Sequence, residues 1–327
     1  MKYSSISMTD LAAAAARIRA AENILLITHI NPDGDALGSI CFMVEWLSAL
    51  GIRHTAYTAG PLPSTLSFLP NYFSITTDKE SFDLGTFDLI ISLDCGAVSR
   101  TNLAPEIAAR REDQFFLEID HHPPVETVSD LAIRLVEAAS TTEILYELAR
   151  EAKLELTPEM SRCLLTGIST DTANFMFSVT SEKTIAAASD MLMSGANLFK
   201  IVNQTWRTKQ LPDLKLWGLA LSRLERNETY NLAYSVLTAE DFASAGSDHE
   251  AMSGLPEFMS GLADVAAVMV LYDAGDGTIR GNLRTGREDV DVGALARRLG
   301  GGGHRKAAGF SVPGRIIRSK TGWQVES

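Results

Sequence analysis

The chain has 327 residues, of which 46% are hydrophobic and 21% are charged. This composition excludes bulk disorder, and the length predicts two domains or one large one. The formal net charge is −12, from 41 acidic and 29 basic residues. We therefore expect no tight binding to duplex DNA, because a negative surface repels a long polyanion.

The cysteine count and the apolar stretches bear on the cellular compartment. The chain has three cysteines and no CxxC pair, which argues against a disulfide framework and favours a reducing environment. The alanine-rich segment at residues 11–16 predicts a helix, since it lacks the long apolar stretch of a signal peptide. No stretch approaches the length of a membrane span. We therefore expect a cytoplasmic protein with no membrane association.

The first two-thirds of the chain alternates apolar runs with helical patterns, which predicts crossover units and a mainly parallel sheet. Residues 24–28 predict a buried strand, residues 29–35 a polar turn, and residues 36–50 a helix that ends at Gly51. Ser140 and Glu143 form a capping-box pattern at the start of a later helix. Further strands are predicted at 53–58, 88–93, 115–119 and 132–136, and further helices at 140–153, 158–171, 180–195 and 198–206.

Residues 208–213 are polar and contain Pro212, which predicts a linker between two domains, residues 1–207 and 208–327. The sequence Gly275-Asp276-Gly277 predicts a hairpin between two later strands. The elements predicted in this part are helices at 214–226 and 292–299 and strands at 231–237, 265–272 and 277–284. The predicted fold class is α/β, with an N-terminal parallel-sheet α/β domain, a smaller C-terminal α/β domain and a cleft between them.

Three of the predicted strands end in acidic or imidazole side chains. These are His29, Asp33 and Asp35 after the first strand, Asp94 after another, and Asp120, His121 and His122 after a third. Ligands bind at the carboxyl ends of strands in open α/β sheets, so we expect these groups to meet in one cleft. Crowded carboxylates raise one another's pKa unless cations neutralise them. The pattern therefore predicts two divalent cations, an arrangement commonly used to hydrolyse phosphate esters.

Each of these motifs also has a structural interpretation. The segment at 29–35 is also typical of an Asx-rich turn that caps a helix. Asp94 is also typical of a helix cap, and a pair of adjacent histidines is also typical of a surface loop. Successive side chains of an extended segment diverge, so one of His121 and His122 is expected to bind metal while the other contacts substrate or supports its neighbour. Asp171, near a predicted helix end, is a weak signal by itself. Carboxylates combined with imidazole favour Mn²⁺ or Mg²⁺.

The C-terminal part contains four consecutive glycines at residues 300–303, followed by His304, Arg305 and Lys306. Consecutive glycines let backbone N–H groups approach an anion closely, and the basic triplet supplies a positive field. A flexible loop is the alternative interpretation. Arg284, at the end of a predicted strand, is suited to a bidentate grip on a phosphate or a carboxylate.

Taken in chain order, these motifs resemble those of the DHH phosphoesterases with a C-terminal DHH-associated domain, over about residues 10–315. They are His29-x-x-Pro-Asp33-x-Asp35, Asp94, Asp120-His121-His122, Asp171, Arg284 and Gly301-Gly-Gly-His304-x-x-Ala-Ala-Gly309. The resemblance is greatest to the bifunctional oligoribonucleases and 3′-phosphoadenosine-5′-phosphate (pAp) phosphatases, the nanoRNases. Phosphodiesterases that act on cyclic di-AMP or its linear product pApA carry similar motifs.

The resemblance implies a set of metal ligands, a catalytic set and a substrate site. One cation is held by His29, Asp33 and Asp94, and a second by Asp35, Asp94, His121 and Asp171, so that the shared aspartate bridges them. The catalytic set is Asp94, Asp120 and His122. Asp120 supports the metal ligands without binding a cation itself, and His122 lies near the scissile phosphate. The substrate's base, sugar or far phosphate is held by Arg284, His304, Gly301, Gly302 and Gly303.

The predicted function is hydrolysis of short oligoribonucleotides and pAp with two divalent cations, Mn²⁺ or Mg²⁺, as cofactors. The expected partners are short RNA and small nucleotide phosphates, and the apolar helix at 198–206 is suited to a homodimer. Three further functions stay open: a phosphodiesterase acting on cyclic di-AMP or pApA, a non-catalytic nucleotide-binding sensor, and a hydrolase of pyrophosphate or polyphosphate.

Overall fold

A computed structural model of the protein describes residues 7–125, 128–207, 209–319 and 322–326. The chain divides into two compact units, Met1–Arg207 and Thr208–Ser327. A parallel sheet with helices forms the first unit, and a mixed sheet with helices forms the second, smaller unit. The predicted α/β fold class is confirmed.

The first unit is built on a five-stranded sheet with the order β2-β1-β3-β4-β5, in which every pair of neighbours is parallel. Its elements are α1 (Met8–Ala20), β1 (Asn23–Thr28), α2 (Gly34–Leu50), β2 (Arg53–Thr58), β3 (Leu89–Leu93), α3 (Ala104–Ala108), β4 (Phe115–Asp120), β5 (Leu131–Arg134), α4 (Thr141–Glu151), α5 (Pro158–Asp171), α6 (Glu182–Met193) and α7 (Leu198–Thr205). The predicted parallel sheet is confirmed.

The central strands are continuous apolar runs because both faces of the sheet are covered. In β1 and β3 nearly every side chain is buried, and two separate clusters of apolar residues pack on the two faces. Helix α2 follows β1 after a short turn, with Asp33 as its N-cap and Gly51 as its left-handed C-cap. The carboxyl ends of β1, β3 and β4 therefore lie side by side at one edge of the sheet.

The second unit has a six-stranded sheet with the order β10-β11-β9-β8-β7-β6 and a separate hairpin, β12–β13. Its elements are α8 (Leu211–Ser222), β6 (Glu225–Asn227), β7 (Leu232–Leu237), α9 (Ala239–Ala245), α10 (Leu255–Met259), β8 (Ala267–Asp273), β9 (Thr278–Arg284), α11 (Val292–Arg298), β10 (Gly302–Gly303), β11 (Ala307–Pro313), β12 (Arg315–Ser319) and β13 (Gly322–Glu326). Strands β8 and β9 pair antiparallel, so the predicted hairpin at Gly275-Asp276-Gly277 is confirmed.

The predicted linker at residues 208–213 is wrong in its second half. Helix α8 begins at Leu211, with Gln210 as its N-cap and Pro212 in its first turn, where the missing N–H of proline leaves no hydrogen bond unmade. The helix also ends at Ser222 rather than at residue 226, because β6 follows it. Thr208 lies outside the described residues.

The glycine-rich segment is not the open loop that the sequence suggests. Gly302 and Gly303 form β10, which pairs antiparallel with Gly309 and Ala308 of β11. A Cβ on Gly301 would lie 2.1 Å from the carbonyl oxygen of Gly309. Part of this segment must therefore be glycine because it lies so close to β11, whether or not a ligand binds there.

No single helix among the described residues is long and apolar enough to cross a membrane. Helices α6 and α7 are long and apolar enough only when they are taken together, and the chain bends by 109° at the break between the two helices.

Candidate metal centre

The edge of the first sheet gathers acidic and imidazole side chains from five elements. His29 follows β1, Asp94 follows β3, and Asp120 ends β4; the first turn of α2 and the end of α5 add carboxylates. Together with the residues next to them, the side chains in this cluster are His29, Asp33, Asp35, Asp94, Asp120, His121, His122 and Asp171. The structure thus brings together every residue of the first unit that the sequence pattern singles out.

The donor atoms fall into sets whose members lie within 4.8 Å of one another. These sets are His29, Asp33 and Asp94; Asp35, His121 and Asp171; and Asp94, Asp120 and His122. Asp94 also connects the first two sets: its Oδ2 is 3.8 Å from Nε2 of His29, and its Oδ1 is 3.4 Å from Nε2 of His121. The same His121 nitrogen is 3.4 Å from Oδ2 of Asp171. One carboxylate therefore faces two groups of donors.

Asp94 is held in an unusual backbone conformation. Its φ of 58° is in the left-handed region, which costs energy for a residue other than glycine and is often found at functional sites. The residue is 1% exposed, and its Oδ1 accepts a hydrogen bond from the hydroxyl of Thr141 at 3.1 Å. Burial alone would raise the pKa of Asp94, but hydrogen bonds from His121 and His122 hold it well below its usual value.

The carboxylate of Asp35, a residue in the first turn of α2, lies at the N-terminus of α4, where unpaired backbone N–H groups bind anions. Its carboxylate accepts hydrogen bonds from the backbone N–H groups of Thr141 and Thr142 at 2.6 and 2.9 Å. The hydroxyl of Thr142 adds a third at 2.7 Å. Burial and the nearby charge of Asp94 nevertheless raise the pKa of Asp35 to about 7.

Gly167 of α5 leaves the space that the Asp35 carboxylate occupies. A Cβ at this position would lie 2.5 Å from Oδ1 of Asp35 and 2.3 Å from Oγ1 of Thr142. The sequence signal for this role is weak, because an isolated glycine inside a helical pattern has several causes. The position of the carboxylate thus depends on the packing of three helices, α2, α4 and α5.

Helix α4 begins as the sequence predicts, but only half of its capping box forms. The hydroxyl of Ser140 accepts a hydrogen bond from the N–H of Glu143 at 3.1 Å. The carboxylate of Glu143 does not return to Ser140; it accepts hydrogen bonds from the N–H of Ala139 and the hydroxyl of Thr184. This arrangement ties α4 to α6.

Asp120 holds the adjacent histidine in place. Its Oδ1 accepts hydrogen bonds from the backbone N–H and Nδ1 of His122, both at 2.8 Å, and its Oδ2 accepts from the N–H of Gly96 at 2.6 Å. Burial lowers the pKa of His122, but the hydrogen bonds to Asp120 and Asp94 outweigh it and raise the pKa to about 9. The assigned supporting role of Asp120 stays a prediction that these contacts favour.

The two adjacent histidines do not diverge as expected. Nε2 of His121 and Nδ1 of His122 both lie 3.4 Å from Oδ1 of Asp94, and the two rings meet edge to face with centroids 4.7 Å apart. The chain bends directly after β4, so the alternation of an extended strand no longer separates the side chains. The expected divergence of successive side chains holds for an extended strand, and both histidines come after the end of β4.

The donor chemistry fits divalent cations. Burial raises the pKa of Asp171 well above its usual value, and the carboxylates of Asp35 and Asp33 add to the effect. Hydrogen bonding to Asp94 raises the pKa of His121 to about 9 against the effect of burial. The raised pKa values of Asp35, Asp171 and His121 mean that the crowded carboxylates favour positive charge beside them. Hard oxygen donors combined with imidazole are also the ligands that Mn²⁺ and related cations accept.

Sequence reasoning missed Arg134 and Glu118, which lie behind the cluster. Nη1 of Arg134 donates to the carbonyl of His122 at 2.9 Å, Nη2 donates to the carbonyl of Gly96 at 3.3 Å, and the guanidinium pairs with Glu118. Arg134 therefore links the segment after β4 to the turn after β3. The available signal was Glu118, a charged residue in the otherwise apolar run of β4. A carboxylate on a strand whose two faces are both covered is buried and needs a partner.

The candidate substrate residues of the second unit have partners of their own. Nε of Arg284, at the end of β9, donates to Oε1 of Glu257 at 2.9 Å, so the guanidinium is not open as expected for a phosphate grip. Lys306 pairs with Glu288, which reduces the positive field predicted for the basic cluster. His304 directly follows β10.

Two family models match the chain. The DHH family, N-terminal domain, matches residues 23–168, and the DHHA1 domain matches residues 229–320. A bifunctional oligoribonuclease and PAP phosphatase NrnA from Thermus thermophilus is 28% identical over 89% of this chain and 84% of its own length. The protein of the same name from Bacillus subtilis is 29% identical over 89% of this chain and 90% of its own length.

A solved structure shares the fold. An exopolyphosphatase-related protein from Bacteroides fragilis superposes with a TM-score of 0.86 at 24% identity, over 94% of this chain and 92% of that chain.

Proposed function

The chain belongs to the DHH family of phosphoesterases and is a hydrolase with a C-terminal DHHA1 domain, and from this premise we propose that it hydrolyses short oligoribonucleotides and pAp at a two-metal centre. The observation that supports the proposal most strongly is the position of Asp94. Its two carboxylate oxygens face different donor sets, as expected of a ligand shared by two cations.

We propose the metal ligands that the family resemblance implies. His29, Asp33 and Asp94, whose donor atoms lie close together, would hold one cation. Asp35, His121 and Asp171 form another such set and would hold the other cation together with Asp94, whose Oδ1 lies 3.4 Å from Nε2 of His121. When bound, the cations would lower the pKa of a water nucleophile and neutralise charge on the phosphate. We propose Mn²⁺ as the cation, with Mg²⁺ as the alternative.

The side chains around the ligands would orient the substrate and supply charge. Asp120 fixes the ring of His122 through Nδ1, and in the metal-free protein the hydrogen bonds to Asp120 and Asp94 raise the pKa of His122 to about 9. A protonated imidazole beside the scissile phosphate would stabilise negative charge that develops on its oxygens. Arg134 would maintain this position by holding the backbone carbonyl of His122.

We propose that residues 1–207 form the catalytic domain and residues 208–327 the substrate-binding domain. Arg284, His304 and the glycines Gly301, Gly302 and Gly303 would contact the part of the substrate away from the metals. The substrate class follows the names of the relatives from Thermus thermophilus and Bacillus subtilis. The expected cytoplasmic location and homodimer stay predictions.

The test is hydrolysis by the purified protein with added Mn²⁺. Substrates are a short RNA series, pAp, cyclic di-AMP, pApA and pyrophosphate, and Asp94→Asn is compared with Asp83→Asn, an exposed aspartate in the same unit. We expect turnover of short RNA and pAp that is lost in Asp94→Asn and retained in Asp83→Asn.

Other outcomes would replace the proposal. Preferential turnover of cyclic di-AMP or pyrophosphate would assign a different substrate class. Tight binding of a dinucleotide without any product would indicate a sensor.

A further inference from the structure

Arg284 is paired through every nitrogen of its guanidinium group. Nε donates to Oε1 of Glu257 at 2.9 Å, and Nη2 donates to the same oxygen. Nη1 donates to the carbonyl of Leu283 at 2.9 Å. The side chains of Arg284 and Glu257 are 19% and 18% exposed, so water screens the pair only in part. The carboxylate of Glu257 thus already balances the positive charge of Arg284, which would otherwise attract an anion.

This ion pair lines a cavity of about 250 Å³ that lies wholly within the second unit. Glu257 and Arg284 are the only residues of the Asp, Glu, Lys and Arg types among its described lining residues, and the rest include His249, Tyr272 and Asn282. His249 stacks on Tyr272 with ring centroids 5.5 Å apart. The carboxylate of Glu257 and the guanidinium of Arg284 therefore balance each other in the lining, and the side chains of Asn282 and Tyr272 are among its other polar groups.

We infer that Glu257 determines the specificity of this cavity, admitting an uncharged base or ribose and opposing a terminal phosphate. The inference rests on the proposed function, which gives Arg284 contact with substrate. A phosphate brought to Arg284 would meet the carboxylate of Glu257, and two like charges in a partly buried site repel. A base or a ribose carries no such charge, and its donors can pair with Glu257 or Asn282.

The test compares three dinucleotides that differ only in terminal phosphates: ApA, pApA and ApAp. ApA has no phosphate at either end, so whichever end enters the cavity, one of the other two places a phosphate there. We expect the wild-type protein to hydrolyse that one with a higher KM than ApA. In Glu257→Gln, the value of kcat/KM for it should rise about tenfold relative to ApA, mainly through KM, because one like charge is removed.

Two further variants separate charge from structure. Glu257→Asp keeps the charge and should keep the wild-type ratio, whereas Asp264→Asn removes an exposed charge of the same unit that pairs with Arg226 and should change nothing. Ratios for pApA and ApAp that are unchanged in Glu257→Gln would overturn the inference while leaving the proposed function intact. Wild-type protein that hydrolyses none of the three with Mn²⁺ would overturn the proposed function, and the inference with it.

Discussion

Replacing Gly167 by alanine tests whether helix packing sets the position of the Asp35 carboxylate. The new Cβ would lie 2.3 Å from Oγ1 of Thr142 and 2.5 Å from Oδ1 of Asp35, whereas ordinary contacts begin at 3.4 Å. The two groups must therefore move by about 1 Å. Both are buried, and the hydrogen bond between them, 2.7 Å long, is expected to break.

The magnitude follows from opposing effects. Overpacking costs about 1–3 kcal/mol, and breaking a buried hydrogen bond to a charged group costs about 1–3 kcal/mol. Alanine favours a helix over glycine by about 1 kcal/mol. The net loss in the free energy of unfolding is therefore about 1–5 kcal/mol. Hydrolysis should fall together with stability, because a displaced Asp35 no longer meets His121 and Asp171.

The chain offers a matched control in Gly218, which lies inside α8, is exposed and has no atom within 4 Å of a Cβ added there. Gly218→Ala should stabilise the second unit by about 1 kcal/mol and leave activity unchanged. Calorimetry is the suitable assay, since two units can unfold in separate transitions. A Gly167→Ala protein as stable and as active as Gly218→Ala would refute the packing argument.

The remaining predictions concern metal, pH and the residues behind the site. Adding Mn²⁺ at a hundred times the Kd of each site should stabilise the first unit by about 2.7 kcal/mol for each of the two cations, or about 10–20 °C in Tm for both, and Asp94→Asn should abolish this shift. The metal-free protein should lose stability as pH rises from about 4 to about 9, because the folded pKa values of Asp35, about 7, and of His121 and His122, about 9, lie above their unfolded values; a Tm in EDTA that increases over this range would contradict it. Arg134→Met should destabilise the first unit by about 3–5 kcal/mol, since it leaves a buried carboxylate unpaired, and reduce kcat more than KM; an unaltered kcat in the folded variant would show that the arginine is only structural.

The sheet of the first unit could be predicted because its strands are buried on both faces. The continuous apolar runs of β1, β3 and β4 have few alternatives as secondary structure, and each is followed by a polar group where the sheet edge begins. The rule that ligands meet at this edge then predicts the cluster around Asp94 without knowledge of any contact. The roles assigned to its members stay predictions.

Features that depend on residues distant in the chain could not be predicted. Glu257 is 27 residues before Arg284 in the sequence, and nothing local to either residue indicates the pair. The glycines at 302 and 303 suggest a loop because their strand partner, β11, is visible only in the sheet. Arg134 is similar, since its contact with the turn after β3 reaches from β5 across β4.

The central claim is that Asp94 is shared by two cations, and crystals grown with Mn²⁺ would test it most directly through anomalous diffraction. We predict two anomalous peaks, one beside His29 and Asp33 and the other beside Asp35, His121 and Asp171, with a carboxylate oxygen of Asp94 next to each. A single peak at full Mn²⁺ occupancy, or two peaks with Asp94 turned away from one of them, would contradict the claim.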